Sequence, residues 1–260
     1  MRLDGRVVLV TGGGGGLGRA MAEGFARAGA AVAVADIDAA GAKAVAESIV
    51  RGGGKALGVA MDVTREEQVD AGVAETVRAF GRLDVAVSNA GIQHIAAVTQ
   101  LSLTDWRRVL SVHLDGGFLL TRAAMRVMEA SKKGGLMLYM GSVHSVEASA
   151  LKAPYVAAKH GLLGLARTVA KEGAKFGVRS NVICPGFVRT PLVEKQIPEQ
   201  ARDLGISEEE VVKKVMLSQT VDGEFTTTTD VAELAVFLAA FPSAALTGQL
   251  VVVSHGWHMH

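Results

Sequence analysis

Val7-Val8-Leu9-Val10-Thr11-Gly12-Gly13-Gly14-Gly15-Gly16-Leu17-Gly18 is the stretch that decides the fold. It opens with four apolar residues, passes through five glycines and runs into Leu17–Ala28, where Met21, Phe25 and Ala28 recur on one helical face. A short, wholly apolar strand leading at once into a helix suits a parallel sheet covered on both sides. The glycines leave the backbone bare at the helix start. Free N–H groups and a partial positive charge there suit a phosphate. A glycine run alone is weak evidence; between a buried strand and a helix it points to a dinucleotide.

The same alternation continues outward. Strands are predicted over Val7–Val10, Ala31–Ala35, Ala56–Ala60, Val85–Ser88, Leu136–Met140, Val178–Cys184 and Leu250–Val253. Helices are predicted over Leu17–Ala28, Ala39–Arg51, Arg65–Phe80, Thr104–Ala130, Lys152–Lys175 and Val231–Ala240. Thr64 is expected to cap the third helix, ahead of Glu66 and Glu67 in its first turn. Strand and helix in steady succession imply an α/β fold: a single Rossmann-like, doubly wound parallel sheet flanked by helices. No linker or repeat divides residues 1–260, which read as one dinucleotide-binding catalytic domain. Segment 189–221 stands out as an insertion, with Pro191, Pro198 and the helix start Ser207-Glu208-Glu209-Glu210. Insertions beyond a strand's C-terminal end lie where such sheets bind ligands, so it reads as a helical substrate lid.

Composition narrows the function. A net charge of +1 gives no broad basic surface for nucleic acid. The single cysteine, Cys184, excludes an intrachain disulfide and argues against a cysteine metal cluster; no metal is expected. Met1–Arg6 carries no basic-then-apolar leader and no run is long enough to span a bilayer, which suits a cytoplasmic protein without a membrane partner.

Asp36 ends the second strand, 18 residues beyond Gly18. A carboxylate there accepts hydrogen bonds from a ribose 2′-OH and repels a 2′-phosphate, favouring NAD over NADP. Asp38 is free to cap the following helix. Tyr155 and Lys159 stand four apart on one helical face, and an ammonium near a phenol is expected to lower its pKa. Ser142, after the fifth strand, can hold a substrate oxygen. Together they suit removal of a hydroxyl proton as hydride leaves for a nicotinamide.

These motifs resemble the short-chain dehydrogenase/reductase family over the whole chain. Thr11-Gly12-x-x-x-Gly16-Leu17-Gly18 resembles its cofactor loop, Asp62-Val63 its adenine-contacting pair, and Asn89-Ala90-Gly91 the motif after its fourth strand. Ser142, Tyr155 and Lys159 match its catalytic triplet; Pro185, Gly186, Val188 and Thr190 fall in its nicotinamide-side segment. One position departs: His113-Leu114-Asp115-Gly116 stands where the family has Asn-Leu-x-Gly. The resemblance gives that Asn a proton-relay water; His113 can hold the same water through a ring nitrogen, titrate itself, or only fill the space.

A narrower similarity, to the bacterial D-3-hydroxybutyrate dehydrogenases, lies around Gln93, His144, Lys152–Gly161 and Pro191–Ile197. It implies that Gln93, His144, Lys152 and Gln196 hold a substrate carboxylate and that Trp257 shapes the pocket near the methyl end. The chemistry agrees: a short hydroxy acid anion needs a cation and donors beside its hydroxyl. The resemblance also implies a homotetramer. His258 and His260 read as a mobile or interface tail.

Overall fold

The structure is a computed structural model describing residues 1–259, without the side chains of Pro191, Leu192, Lys195 and Asp203. Strands β1 (Val7–Thr11), β2 (Ala31–Asp36), β3 (Lys55–Ala60), β4 (Val85–Ser88), β5 (Gly135–Met140), β6 (Val178–Pro185) and β7 (Leu250–Val253) form one sheet. Its order is β3-β2-β1-β4-β5-β6-β7 and every pairing is parallel.

Both sheet faces are covered, which is why the inner strands β1, β4 and β5 are mostly apolar and buried. Successive side chains of a strand point to opposite faces. Val8 and Val10 of β1 join a core with Met21 and Phe25 of α1 (Gly16–Arg27). Leu9 joins the opposite core with Val69 of α3 (Glu66–Phe80). α2 (Ala39–Arg51) is capped by Asp38, whose side chain accepts from the Ala40 N–H at 3.1 Å. Thr64 does not cap α3. Its hydroxyl donates instead to Asp62 at 2.7 Å, Arg65 becomes the capping position without a side-chain bond, and Glu66 and Glu67 still fill the first turn.

The long helix after β4 is interrupted. α4 (Leu103–Leu110) passes through a π-helical turn, Ser111–Asp115, into α5 (Gly116–Ser131). The crowding behind it gives a reason. A Cβ on Gly116 would come within 2.9 Å of Val63, and one on Gly117 within 2.7 Å of Leu162, so the helix lies close to its neighbours there. The turn contains His113 at its centre; π turns often mark functional sites. α6 (Ala153–Gly173) follows, with Lys152 at its capping position and Pro154 in its first turn.

Segment 189–221 lies between β6 and the last helix. It folds as α7 (Pro191–Leu204), a short α8 (Glu208–Glu210) and the π turn Val211–Met216. Ser207 and Glu210 form the capping box its sequence implies, and Ile197, Val211, Met216 and Leu217 give it a small core of its own. α9 (Thr228–Ala240) opens with a second capping box, Thr227 and Asp230. Among the described residues no helix is long and apolar enough to cross a membrane.

Strand order reverses at β1 and β4. Chains leaving these neighbouring strands turn to opposite sides, and the crevice beyond their C-terminal ends is where such sheets bind ligands.

Candidate active site

A cavity of about 690 Å³ occupies that crevice. It gathers residues from the C-terminal ends of β1, β2, β4, β5 and β6, from α6 and α7, and from the C-terminal turn. Every site residue named from the sequence lines it except Thr11.

Thr11 has a different task. It is buried; its hydroxyl donates to the Val87 carbonyl at 3.0 Å and accepts from the Asn89 N–H at 3.1 Å. The Asn89 side chain donates in turn to the carbonyls of Thr11 and Gly12, at 2.9 and 3.2 Å. The two residues bind the glycine loop to the end of β4. The loop is pressed so close that a Cβ on Gly12 would stand 2.9 Å from Ala90 Cα, and one on Gly18 would meet the Gly12 carbonyl and lie 2.7 Å from Asn89 Nδ2. On its other side, Gly15 and Gly16 border open cavity, and no side chain caps α1. Bare backbone beside uncapped helical N–H groups fits a pyrophosphate.

Asp36 stands at the far end of this half of the cavity. Its carboxylate accepts from the Gly14 and Asp38 N–H groups, both at 2.9 Å, so loop and carboxylate are held together. Ile37 beside it is 74% exposed, and the described lining nearby holds no basic side chain. Val63 and Asp62 complete this end.

The other half is aromatic and cationic. Tyr155 packs edge-on against His113, with centroids 5.4 Å apart, and against His144 at 6.2 Å. His144 meets Trp257 at 5.7 Å, and Trp257 stacks on Phe187 at 5.2 Å. Lys152 Nζ sits 5.3 Å from the Phe187 ring centre. Lys159 Nζ lies 5.3 Å from the Tyr155 ring centre and donates to the Met140 carbonyl at 2.6 Å. Gln196 comes in from α7, 9% exposed. Four buried polar atoms of this half have no partner among the described residues: Gln93 Oε1, His113 Nδ1, His144 Nδ1 and Trp257 Nε1. Buried polar atoms are costly to leave unpaired, so a ligand that completes them is favoured.

Burial governs the ionisation. It raises the Tyr155 phenol above its ordinary value, and the hydrogen bond with Ser142 offsets this only in part. The lowering expected from the nearby ammonium is therefore not what this structure gives: Lys159 faces the ring and the Met140 carbonyl, and desolvation dominates. Burial brings Lys159 down to about 8. Burial, then the Lys159 charge, holds His113 at about 3; burial, then Lys152, holds His144 at about 4. Burial thus favours the neutral form of both imidazoles, which counts against a titrating role for His113. Its Nε2 faces both the Ile92 carbonyl, at 2.8 Å, and the Ile92 N–H, at 3.1 Å, while the buried Nδ1 has no protein partner among the described residues. The ring also leaves no space at Gly91, where a Cβ would press on Cε1 and lie 3.1 Å from both ring nitrogens.

Comparison with known proteins identifies this arrangement. The family model described as Enoyl-(Acyl carrier protein) reductase (adh_short_C2) matches residues 13–258, nearly the whole chain. The chain belongs to the short-chain dehydrogenase/reductase family. It is therefore an oxidoreductase of the kind that uses a nicotinamide cofactor. Among its relatives is a D-beta-hydroxybutyrate dehydrogenase of Rhizobium meliloti (strain 1021), 39% identical, aligned over 97% of this chain and 98% of the relative. Another of that name, from Cupriavidus necator, is 35% identical over 98% of each. The crystal structure of sorbitol-6-phosphate 2-dehydrogenase SrlD from Erwinia amylovora superposes with a TM-score of 0.93, at 32% identity, covering 98% of this chain and 100% of that one. These names span several substrates, so family membership sets the reaction class and the pocket must choose the substrate.

Within this short-chain dehydrogenase/reductase, sequence reasoning missed Phe187, Ile92 and Val193, all of which line the cavity. Phe187 sits between Gly186 and Val188, both named from the sequence; a lone aromatic just past a strand end was the available signal.

Proposed function

We propose that the chain is an NAD-dependent dehydrogenase interconverting D-3-hydroxybutyrate and acetoacetate. One observation carries the substrate half of this reading. Lys152 brings a positive charge into the cavity without an ion-pair partner among the described residues, one helical turn before Tyr155, and with the unpaired Gln93 and His144 lining the same space. A small carboxylate accepts from the Lys152 ammonium and from an Nδ1–H of His144, the Gln196 amide adds an N–H donor from α7, and Gln93 Oε1 accepts from a hydroxyl or water. The names of the two hydroxybutyrate dehydrogenase relatives support the same substrate.

The bound nicotinamide would accept the hydride from the alcohol carbon, or return it to the ketone. The residues of the chain manage the proton and the orientation. Ser142 holds the substrate oxygen. Tyr155 takes the hydroxyl proton during oxidation and gives it back during reduction. Its raised pKa keeps the proton in place at neutral pH, which suits the donor role. The Lys159 ammonium beneath the ring favours the phenolate that proton donation creates. His113, neutral and tied to Ile92, keeps one ring nitrogen available for a water behind this pair.

These protonation states set a pH profile. For ketone reduction, kcat should stay flat from about pH 5 to 7, because His113 and His144, near 3 and 4, do not titrate there. It should fall above about 8, where Lys159 loses its charge. A limb near pH 6.5 in the kcat profile would instead put a titrating histidine in the proton path.

The NAD preference rests on Asp36. Asp36→Ser should lower kcat/KM for NAD about tenfold or more, the worth of a hydrogen bond to a charged group, and raise the NADP rate by removing repulsion. Rates with both nucleotides test it; an unchanged NAD/NADP ratio would remove Asp36 from cofactor selection.

Phe118 on α5 and Phe237 on α9 stand 48% and 40% exposed, the kind of surface that subunit contacts cover. This supports the homotetramer reading, and light scattering would test it. The test of the whole reading is NADH formation from NAD and D-3-hydroxybutyrate, with the L-enantiomer and NADP as controls. Rapid D-selective turnover supports it; NADH binding without turnover of this acid sinks the substrate assignment.

A further inference from the structure

The C-terminal turn is not a loose tail. It is fastened at two points by histidines that the proposed reaction does not use; His260 lies outside the described residues. His258 Nδ1 is 2.5 Å from Glu147 Oε1, in the loop after β5. His255 Nδ1 is 2.7 Å from Asp222 Oδ2, just past segment 189–221. The backbone adds to both: the Val221 N–H donates to the His255 carbonyl at 2.9 Å, and the His258 N–H to the Ser254 hydroxyl at 3.3 Å.

His255 adopts a left-handed conformation, with φ of 51°, which is costly for a residue with a Cβ. Strain of this kind persists only where the surroundings hold it. Packing does so here: a Cβ on the next residue, Gly256, would lie 2.7 Å from Val221 Cγ1. Between the two fastened histidines stands Trp257, stacked on Phe187 and edge-on to His144. A large rigid ring whose backbone is pinned on either side makes a fixed wall. In each fastening an imidazole Nδ1–H donates to a carboxylate oxygen.

We propose that His258 and His255, through Glu147 and Asp222, are positioning residues that set where Trp257 stands, and so the length of substrate chain the cavity accepts. Loss of either fastening lets the indole swing outward and lengthens the pocket at the end away from Tyr155. The chain-length prediction rests on the hydroxy acid reading; the placement of Trp257 does not.

The test uses the full chain in a Trp106→Phe background, which leaves Trp257 as the one tryptophan. His258→Ala and Glu147→Ala should each make Trp257 fluorescence about twofold more open to acrylamide quenching. Each should raise KM for D-3-hydroxybutyrate about tenfold with little change in kcat, and should raise the kcat/KM ratio of D-3-hydroxypentanoate to D-3-hydroxybutyrate severalfold. Glu147→Gln keeps an acceptor for Nδ1–H and should restore all three. The double variant His258→Ala/Glu147→Ala should open Trp257 to quenching no further than the larger of the two single effects, since both singles break the His258–Glu147 contact. Unchanged quenching in both single variants overturns the proposal, as does a fall in kcat with the chain-length ratio unmoved. If the parent turns over neither acid, the substrate reading fails, and the quenching measurements still decide whether the histidines place Trp257.

Discussion

Tyr155→Phe is expected to lower kcat by about 10³-fold, within the range typical of a lost general acid or base, while NADH affinity stays within about twofold. The substitution deletes one oxygen and keeps the ring, whose edge contacts with His113 and His144 hold this part of the cavity together. The fold and the nucleotide half, built from the glycine loop and Asp36, should therefore be untouched. Steady-state rates and a fluorescence titration with NADH separate the two effects. A variant that retains a tenth of the parent rate would remove the phenol from proton transfer and leave Ser142 as the next group to test.

Lys152→Ala should raise KM for D-3-hydroxybutyrate by roughly 10- to 100-fold, the equivalent of about 1.5–3 kcal/mol for a hydrogen bond to a charged group. A neutral secondary alcohol of similar size should be turned over at an unchanged rate, because it makes no demand on the ammonium. Lys152→Met is the sharper variant. It keeps an apolar chain over Phe187, so a loss shared by both variants belongs to the charge and one confined to alanine belongs to packing. The measurement is KM for the acid and the neutral alcohol in parallel. Equal effects on both would show that Lys152 shapes the pocket without reading a carboxylate.

The sheet was legible because its strands are buried on both faces. Val7–Val10 had no polar position to blur the pattern and Val85–Ser88 only its last residue, and their bounds differ from the structure by at most one residue. Glycine, Asp36 and the Tyr155–Lys159 spacing were readable because each answers to backbone geometry local to one turn or helix face. Reading stopped where distant segments meet. The π turn at Ser111–Asp115 accompanies a tight fit against Val63 and Leu162, which no local periodicity records. Thr64 satisfied every rule for a helix cap, but Asp62 two residues earlier competes for its hydroxyl. The ionisation of Tyr155 was misjudged because helical spacing reports proximity to Lys159 and not burial. His258 looked like a tail residue because its partner, Glu147, lies 111 positions away.

The contact between Gly91 and His113 constrains how this protein can change. Any side chain at position 91 would run into the imidazole, whereas a smaller residue at 113 would free the space. The two positions are therefore ordered in mutational history: 113 must shrink before 91 can grow, and the reverse order passes through an intermediate that is obstructed at the very turn leading to Ile92 and Gln93. A library that varies position 91 alone should return only glycine, while the same library built on His113→Asn should accept alanine or serine. A relative carrying a larger residue at 91 would thus record an ancestor that had already given up, or never acquired, the histidine.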